Sequence, residues 1–229
     1  MNGIGFVISA IVIATAVTLC GIKLFDMNSE FSEPIYKFGP FIGIAFALFA
    51  VFGLLLPDIS EVTDNIAPII FASIASFAIV CFGLSLLRRR LLSIHPDNKR
   101  AKKQLPRGSF VGICAIDAVE GVFAGFATGM SFAFNSGAGI VTLCAMIMLQ
   151  ISTKVAMIRE YQDSGASRNQ NMTALLVSLF INTATAIVIY LSTHGQIQLA
   201  GVLATISVGF IICRVLAHLW LIVKKYQNR

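Results

Sequence analysis

Asp117 and Glu120 are two carboxylates three residues apart, inside an otherwise apolar stretch that runs from 109 to 134. At helical spacing they lie on roughly one face. An ionisable group surrounded by hydrocarbon is costly, and by default it marks a functional site with a partner. The structural alternative is a buried ion pair that fixes helix register. Other apolar stretches carry further polar residues: Gln150 and Lys154, then Asn182, then Arg214 and His218. Carboxylate and amide oxygens are ligands for hard divalent cations. Asp117, Glu120 and Gln150 are therefore the candidate metal- or solute-binding residues. Lys154 and Arg214 are candidate counter-charges, and Asn182 and His218 secondary polar residues.

These residues need helices to position them, and hydropathy supplies seven: 3–23, 38–57, 66–87, 109–134, 138–160, 171–192 and 198–223. A membrane-crossing helix takes about 20 apolar residues. Alternate spans run in opposite directions, so depth follows from a rise of about 1.5 Å per residue. On that scale Glu120, Gln150, Asn182 and Arg214 fall at roughly 15–16 Å from the cytoplasmic end of their spans. Asp117, Lys154 and His218 fall at about 9–12 Å. A mid-membrane layer and a lower layer are expected. Lys154 is expected to pair with Asp117 or Glu120, with snorkelling to the interface as its alternative. His218 reads more simply as an interfacial histidine.

The positive charges set the orientation. All 17 Lys and Arg lie within a span or in segments assigned to one side. The other side holds 1–3, 58–65, 135–137 and 192–198 and has none. Cytoplasmic loops carry the Lys/Arg excess, so the N-terminus is expected outside and the C-terminus inside. The chain is 57% hydrophobic and 12% charged, with a mean hydropathy of +0.84. A soluble domain carries about 25% charged residues, which excludes one here. The net charge of +6 has no folded basic domain or aromatic platform beside it, so a nucleic-acid partner is not expected. Residues 1–87 form a first block of three helices, 88–108 a basic cytoplasmic linker, and 109–229 a second block of four, within one membrane domain. The first stretch lacks a basic n-region and reads as a span rather than a cleaved signal. Cys20, Cys81, Cys114, Cys144 and Cys213 all fall within spans and read as small packing residues. Gly121, Gly125 and Gly129 form a small-xxx-small stripe for close helix approach, either within the bundle or at a homodimer face. The loop holding Asp58, Glu61 and Asp64 has three carboxylates and no base; it reads as a solvated loop, with concentration of cations at a pore mouth as its alternative.

At the polar residues the chain resembles the ZIP (Zrt/Irt-like) family of divalent metal transporters. Phe52-Gly53-Leu54-Leu55-Leu56-Pro57-Asp58 is similar to the family's H-L-L-P-E span ending. Ile116-Asp117-Ala118-Val119-Glu120-Gly121 is similar to H-N-x-P-E-G, and Gln150-Ile151-Ser152-Thr153-Lys154 stands where the family has H-E-x-P-E. Ser164 to Gln170 looks like the turn before the family's sixth span. The departures are specific. Both metal-site histidines are replaced, by Ile116 and Gln150, both helix-kinking prolines by Val119 and Thr153, and one acidic ligand by Lys154. The family usually has eight spans, against seven here.

The resemblance implies an all-α polytopic bundle with a ZIP-like core and an altered binuclear site. It also implies a divalent cation of the zinc, iron or manganese class, or another small solute, as substrate. No resident cofactor is expected. The competing expectation is a membrane subunit, sensor or assembly partner that keeps the fold without transporting. An intramembrane enzyme is not expected: there is no HExxH or GxSxG, and of His95, His194 and His218 only the last lies in a span. A retinal protein would need a lysine in the last span, which has Arg214 instead. The compact loops suggest a prokaryotic inner membrane, with lipid as the surrounding partner.

Overall fold

The computed structural model describes residues 3–27, 29–62, 66–93, 107–163 and 166–227. Among them every regular element is helical. Helix α1 is Gly3–Met27 and α2 is Ser29–Leu48. The chain continues from α2 through a π-helical segment, Phe49–Leu55, into the short α3, Leu56–Ser60. The remaining helices are α4 (Ile66–Ser93), α5 (Arg107–Phe134), α6 (Ser136–Asp163), α7 (Arg168–Thr193) and α8 (Ile197–Gln227). Seven helical stretches are long and apolar enough to cross a membrane, α2, the π segment and α3 together making the second. The chain is thus compatible with a multi-pass membrane protein.

Side-chain placement is what a lipid-facing bundle requires. Phe71, Ile79 and Phe180 are each more than 70% exposed; in water such a surface would be an association liability, whereas in hydrocarbon it costs nothing. The core is built from smaller residues. Ala47, Val51, Leu55, Ala127, Ala145 and Ala204 are fully buried where α2, α5, α6 and α8 meet. Helix α5 is central and packs on α4, α6, α7 and α8.

Local sequence explains the joints. In the π segment the Leu56 N–H reaches back to the Val51 carbonyl, five residues away. Pro57, next in the chain, has no N–H to donate and its ring crowds the preceding turn, so this is where the α-helical ladder shifts register. Asn135 turns α5 into α6. Its Oδ1 accepts from the Ala138 N–H at 3.1 Å, and its Nδ2 donates to Asp58 Oδ2. Asp58 thus has a partner across the turn, whereas Asp64 lies outside the described residues. Ser167 opens α7 with a capping box: its hydroxyl accepts from the Gln170 N–H, and Gln170 Oε1 accepts from the Ser167 N–H. Gly195, at φ 89°, turns α7 into α8 in a conformation that favours glycine.

The glycine stripe of α5 is used inside the bundle. A Cβ at Gly121, Gly125 or Gly129 would fall 2.7, 2.3 or 2.5 Å from the carbonyl oxygens of Ser178, Asn182 and Ala186. Those three α7 residues are themselves small and four apart, so backbone meets backbone along the whole α5–α7 seam.

Candidate functional site

Four ionisable side chains from three helices converge at one buried point. Asp117 and Glu120 project from one face of α5, Arg88 reaches in from α4, and Lys154 comes from α6. Arg88 Nη2 donates to Asp117 Oδ1 at 3.0 Å and to Glu120 Oε1 at 2.8 Å. Lys154 Nζ lies 3.8 Å from Asp117 Oδ1, inside ion-pair range and outside hydrogen-bond range. The side chains of Arg88, Asp117, Glu120 and Lys154 are 10, 2, 17 and 8% exposed. Two cations and two carboxylates balance formally, but the geometry is uneven. Among the described residues the ammonium of Lys154 and the Nε of Arg88 are buried without a hydrogen-bond partner.

One further group touches the cluster. Tyr161, beyond the apolar stretch of α6 that ends at Val155, directs its phenol at both Asp117 oxygens, over long contacts of 3.2 and 3.3 Å. Burial, and then the neighbouring carboxylate, push the Tyr161 phenol well above its ordinary range, so it stays a donor. Arg214 stands apart: among the described residues no carboxylate lies within ion-pair distance of it.

Gln150 and Asn182 come together elsewhere. They line a cavity of about 20 Å³ between α1, α5, α6 and α7, shared with Thr15, Thr18, Thr128 and Thr183 and with apolar neighbours. None of the four clustered ionisable residues lines it. His218 is buried, separately again. Its Nδ1 donates to the Arg214 carbonyl at 2.9 Å, and its Nε2 meets Thr153 Oγ1 at 3.0 Å. The polar residues therefore sort into three groups rather than two layers: the ion cluster, the cavity, and the His218–Thr153 pair.

Arg88 is the residue that sequence reasoning missed, having been counted as the first residue of the basic linker. Helix α4 continues to Ser93, so Arg88 is helical and its side chain ties the first three-helix block to the second. Of that linker, 89–93 complete α4 and 107–108 begin α5, while 94–106 lie outside the described residues. The pattern Leu86-Leu87-Arg88-Arg89-Arg90-Leu91-Leu92 carried a signal. Apolar residues flank the arginines on both sides, and helical spacing turns one of three consecutive residues inward. The cavity threonines were also missed; Thr15 and Thr18 lie three apart in α1.

Among the described residues no three His, Cys, Asp or Glu side chains gather as a metal-ligand group. Asp117 and Glu120 are held by the chain's own cations. No family model matches the chain, and neither the curated proteins nor the solved structures give a match.

Proposed function

We propose that the chain is a multi-pass membrane carrier with a ZIP-like core and an altered cation site, its N-terminus outside and its C-terminus in the cytoplasm of a prokaryotic cell. Asp117 and Glu120 are the solute-facing acids. Arg88 and Lys154 hold them between transport events and yield when a cation of the zinc, iron or manganese class enters as cargo. The observation that carries this reading is the gathering of Arg88, Asp117, Glu120 and Lys154 at one buried point in a bundle of apolar helices. Charges at such depth are expensive and mark solute or ion pathways. The order of the motifs, from Pro57-Asp58 through Asp117-Glu120-Gly121 to Gln150 and Lys154, supports the ZIP-like part.

One observation favours a second reading, a non-transporting subunit that keeps the fold. Asp117 already has Arg88, Lys154 and Tyr161 around it, as a purely structural ion cluster would. Reconstitution separates the two. Proteoliposomes of the wild-type chain are loaded against labelled zinc, manganese and iron(II). Uptake above empty liposomes that disappears in Glu120→Gln supports the carrier. Wild-type vesicles no faster than empty ones for all three cations would refute it and leave the structural role.

A further inference from the structure

The cavity between α1, α5, α6 and α7 has a lining that suits one kind of guest, and the carrier reading does not use it. Four threonine hydroxyls border it, and each has one proton. Thr18 donates to the Ala14 carbonyl at 2.8 Å and Thr128 to the Ala124 carbonyl at 3.0 Å. Thr15 and Thr183 share three contacts: to the Ile11 carbonyl at 3.0 Å, to the Leu179 carbonyl at 2.9 Å, and to each other at 2.6 Å. Two protons must serve those three contacts. Every threonine proton is therefore committed to a protein acceptor, and the cavity receives only hydroxyl lone pairs. Gln150 and Asn182 add one amide each, an acceptor oxygen that a cation would draw inward together with an NH2 donor that must then turn to another acceptor. The wall thus offers up to six neutral oxygens and no carboxylate.

We propose that this cavity binds a small dehydrated monovalent cation, sodium in class. Lone pairs converging on a buried space repel one another and are relieved by positive charge. Hard cations take several oxygen ligands at once, and neutral oxygens can replace the hydration shell of a monovalent ion. A divalent ion is held instead by charged carboxylates or imidazoles, which this wall lacks. Size agrees, since about 20 Å³ is room for one guest of water size, the threshold being roughly 10–15 Å³. The two closest oxygens, 2.6 Å apart, come from α1 and α7, so an ion bound beside both hydroxyls ties α1 to the α5–α7 pair. Water is the competing occupant, because it too could donate to these lone pairs.

The test is equilibrium binding of radiolabelled sodium to the purified full-length chain in detergent, with choline replacing sodium at constant ionic strength. The expected result is saturable binding at one site per chain, displaced by unlabelled sodium. A Thr15→Val/Thr183→Val variant keeps the shape and removes two ligands; its affinity should fall at least about tenfold, the equivalent of 1.4 kcal/mol. Wild-type chain that binds no sodium would overturn the proposal and assign the cavity to water. Undiminished binding in the variant would overturn it as well. Should that variant misfold, the single Thr18→Val variant and the wild-type melting temperature in sodium against choline give the same reading: no sodium-specific rise in the wild type refutes the site. Glu120→Gln is expected to keep sodium binding even where it loses uptake, so this site and the carrier reading fail separately.

Discussion

Replacing Arg88 with methionine should be among the most damaging single changes in the membrane interior. One terminal nitrogen of Arg88 contacts Asp117 at 3.0 Å and Glu120 at 2.8 Å. At an effective dielectric of about 20, each contact represents roughly 5–6 kcal/mol of attraction before desolvation is subtracted. Desolvation of three buried ions offsets most of that, so the intact cluster contributes little net stability. Removing only the cation changes the balance. Among the described residues Glu120 then has no hydrogen-bond or ion-pair partner, and Asp117 keeps Lys154 at 3.8 Å and the long Tyr161 contacts. Stranding a buried charge in this way costs about 3–5 kcal/mol. The loss would appear as a lower midpoint in reversible unfolding by sodium dodecyl sulfate in mixed micelles, followed by far-ultraviolet circular dichroism. An Arg88→Met/Glu120→Gln double variant should recover part of it, with a coupling energy of about 1–3 kcal/mol. A cost below about 1 kcal/mol for Arg88→Met, as for an exposed pair, would mean that water reaches the cluster and that the cation-exchange reasoning is wrong.

Gly125→Ala should destabilise by about 1–3 kcal/mol through overpacking, because its Cβ would meet the Asn182 carbonyl oxygen at 2.3 Å. Gly83→Ala, where a Cβ meets nothing within 4 Å, is the matched control and should be neutral or stabilising in the same unfolding assay. Ser167→Ala removes the hydroxyl that accepts from the Gln170 N–H and should cost about 1 kcal/mol. Because the cap acts on the first turn of α7, hydrogen exchange should rise there and not in α5.

Apolar helices were legible in the sequence because hydropathy is additive along the chain and needs no knowledge of neighbours. All seven stretches in the structure overlap the seven read from composition. A pairing of Lys154 with Asp117 or Glu120 was legible too, since antiparallel helices with a fixed rise per residue bring equal depths together; the structure puts Lys154 beside Asp117. Depth, however, says nothing about azimuth. Glu120 and Gln150 count to the same depth along their spans, yet Glu120 turns to Arg88 while Gln150 faces α1 and α7. Only the rotation of each helix about its axis decides such a case, and that rotation is set by packing. The tightest constraint here is the α5–α7 seam, where Gly121, Gly125 and Gly129 seat on backbone carbonyls.

Arg88 escaped for a related reason: a basic run at the end of an apolar helix carries both a topology signal and, residue by residue, a facing. The positive-inside rule reads the run as a whole. Helical geometry allows one member of the run to leave it, and the bundle interior holds two carboxylates that need a cation. Had Arg88 joined Arg89 and Arg90 in facing outward, Lys154 alone would have to balance Asp117 and Glu120 within a dry core. Its 3.8 Å separation from Asp117 is too long to do that by hydrogen bonding. The second cation is therefore required by the two acids, and α4, the helix that crosses beside them and ends in arginines, is the element that can supply it.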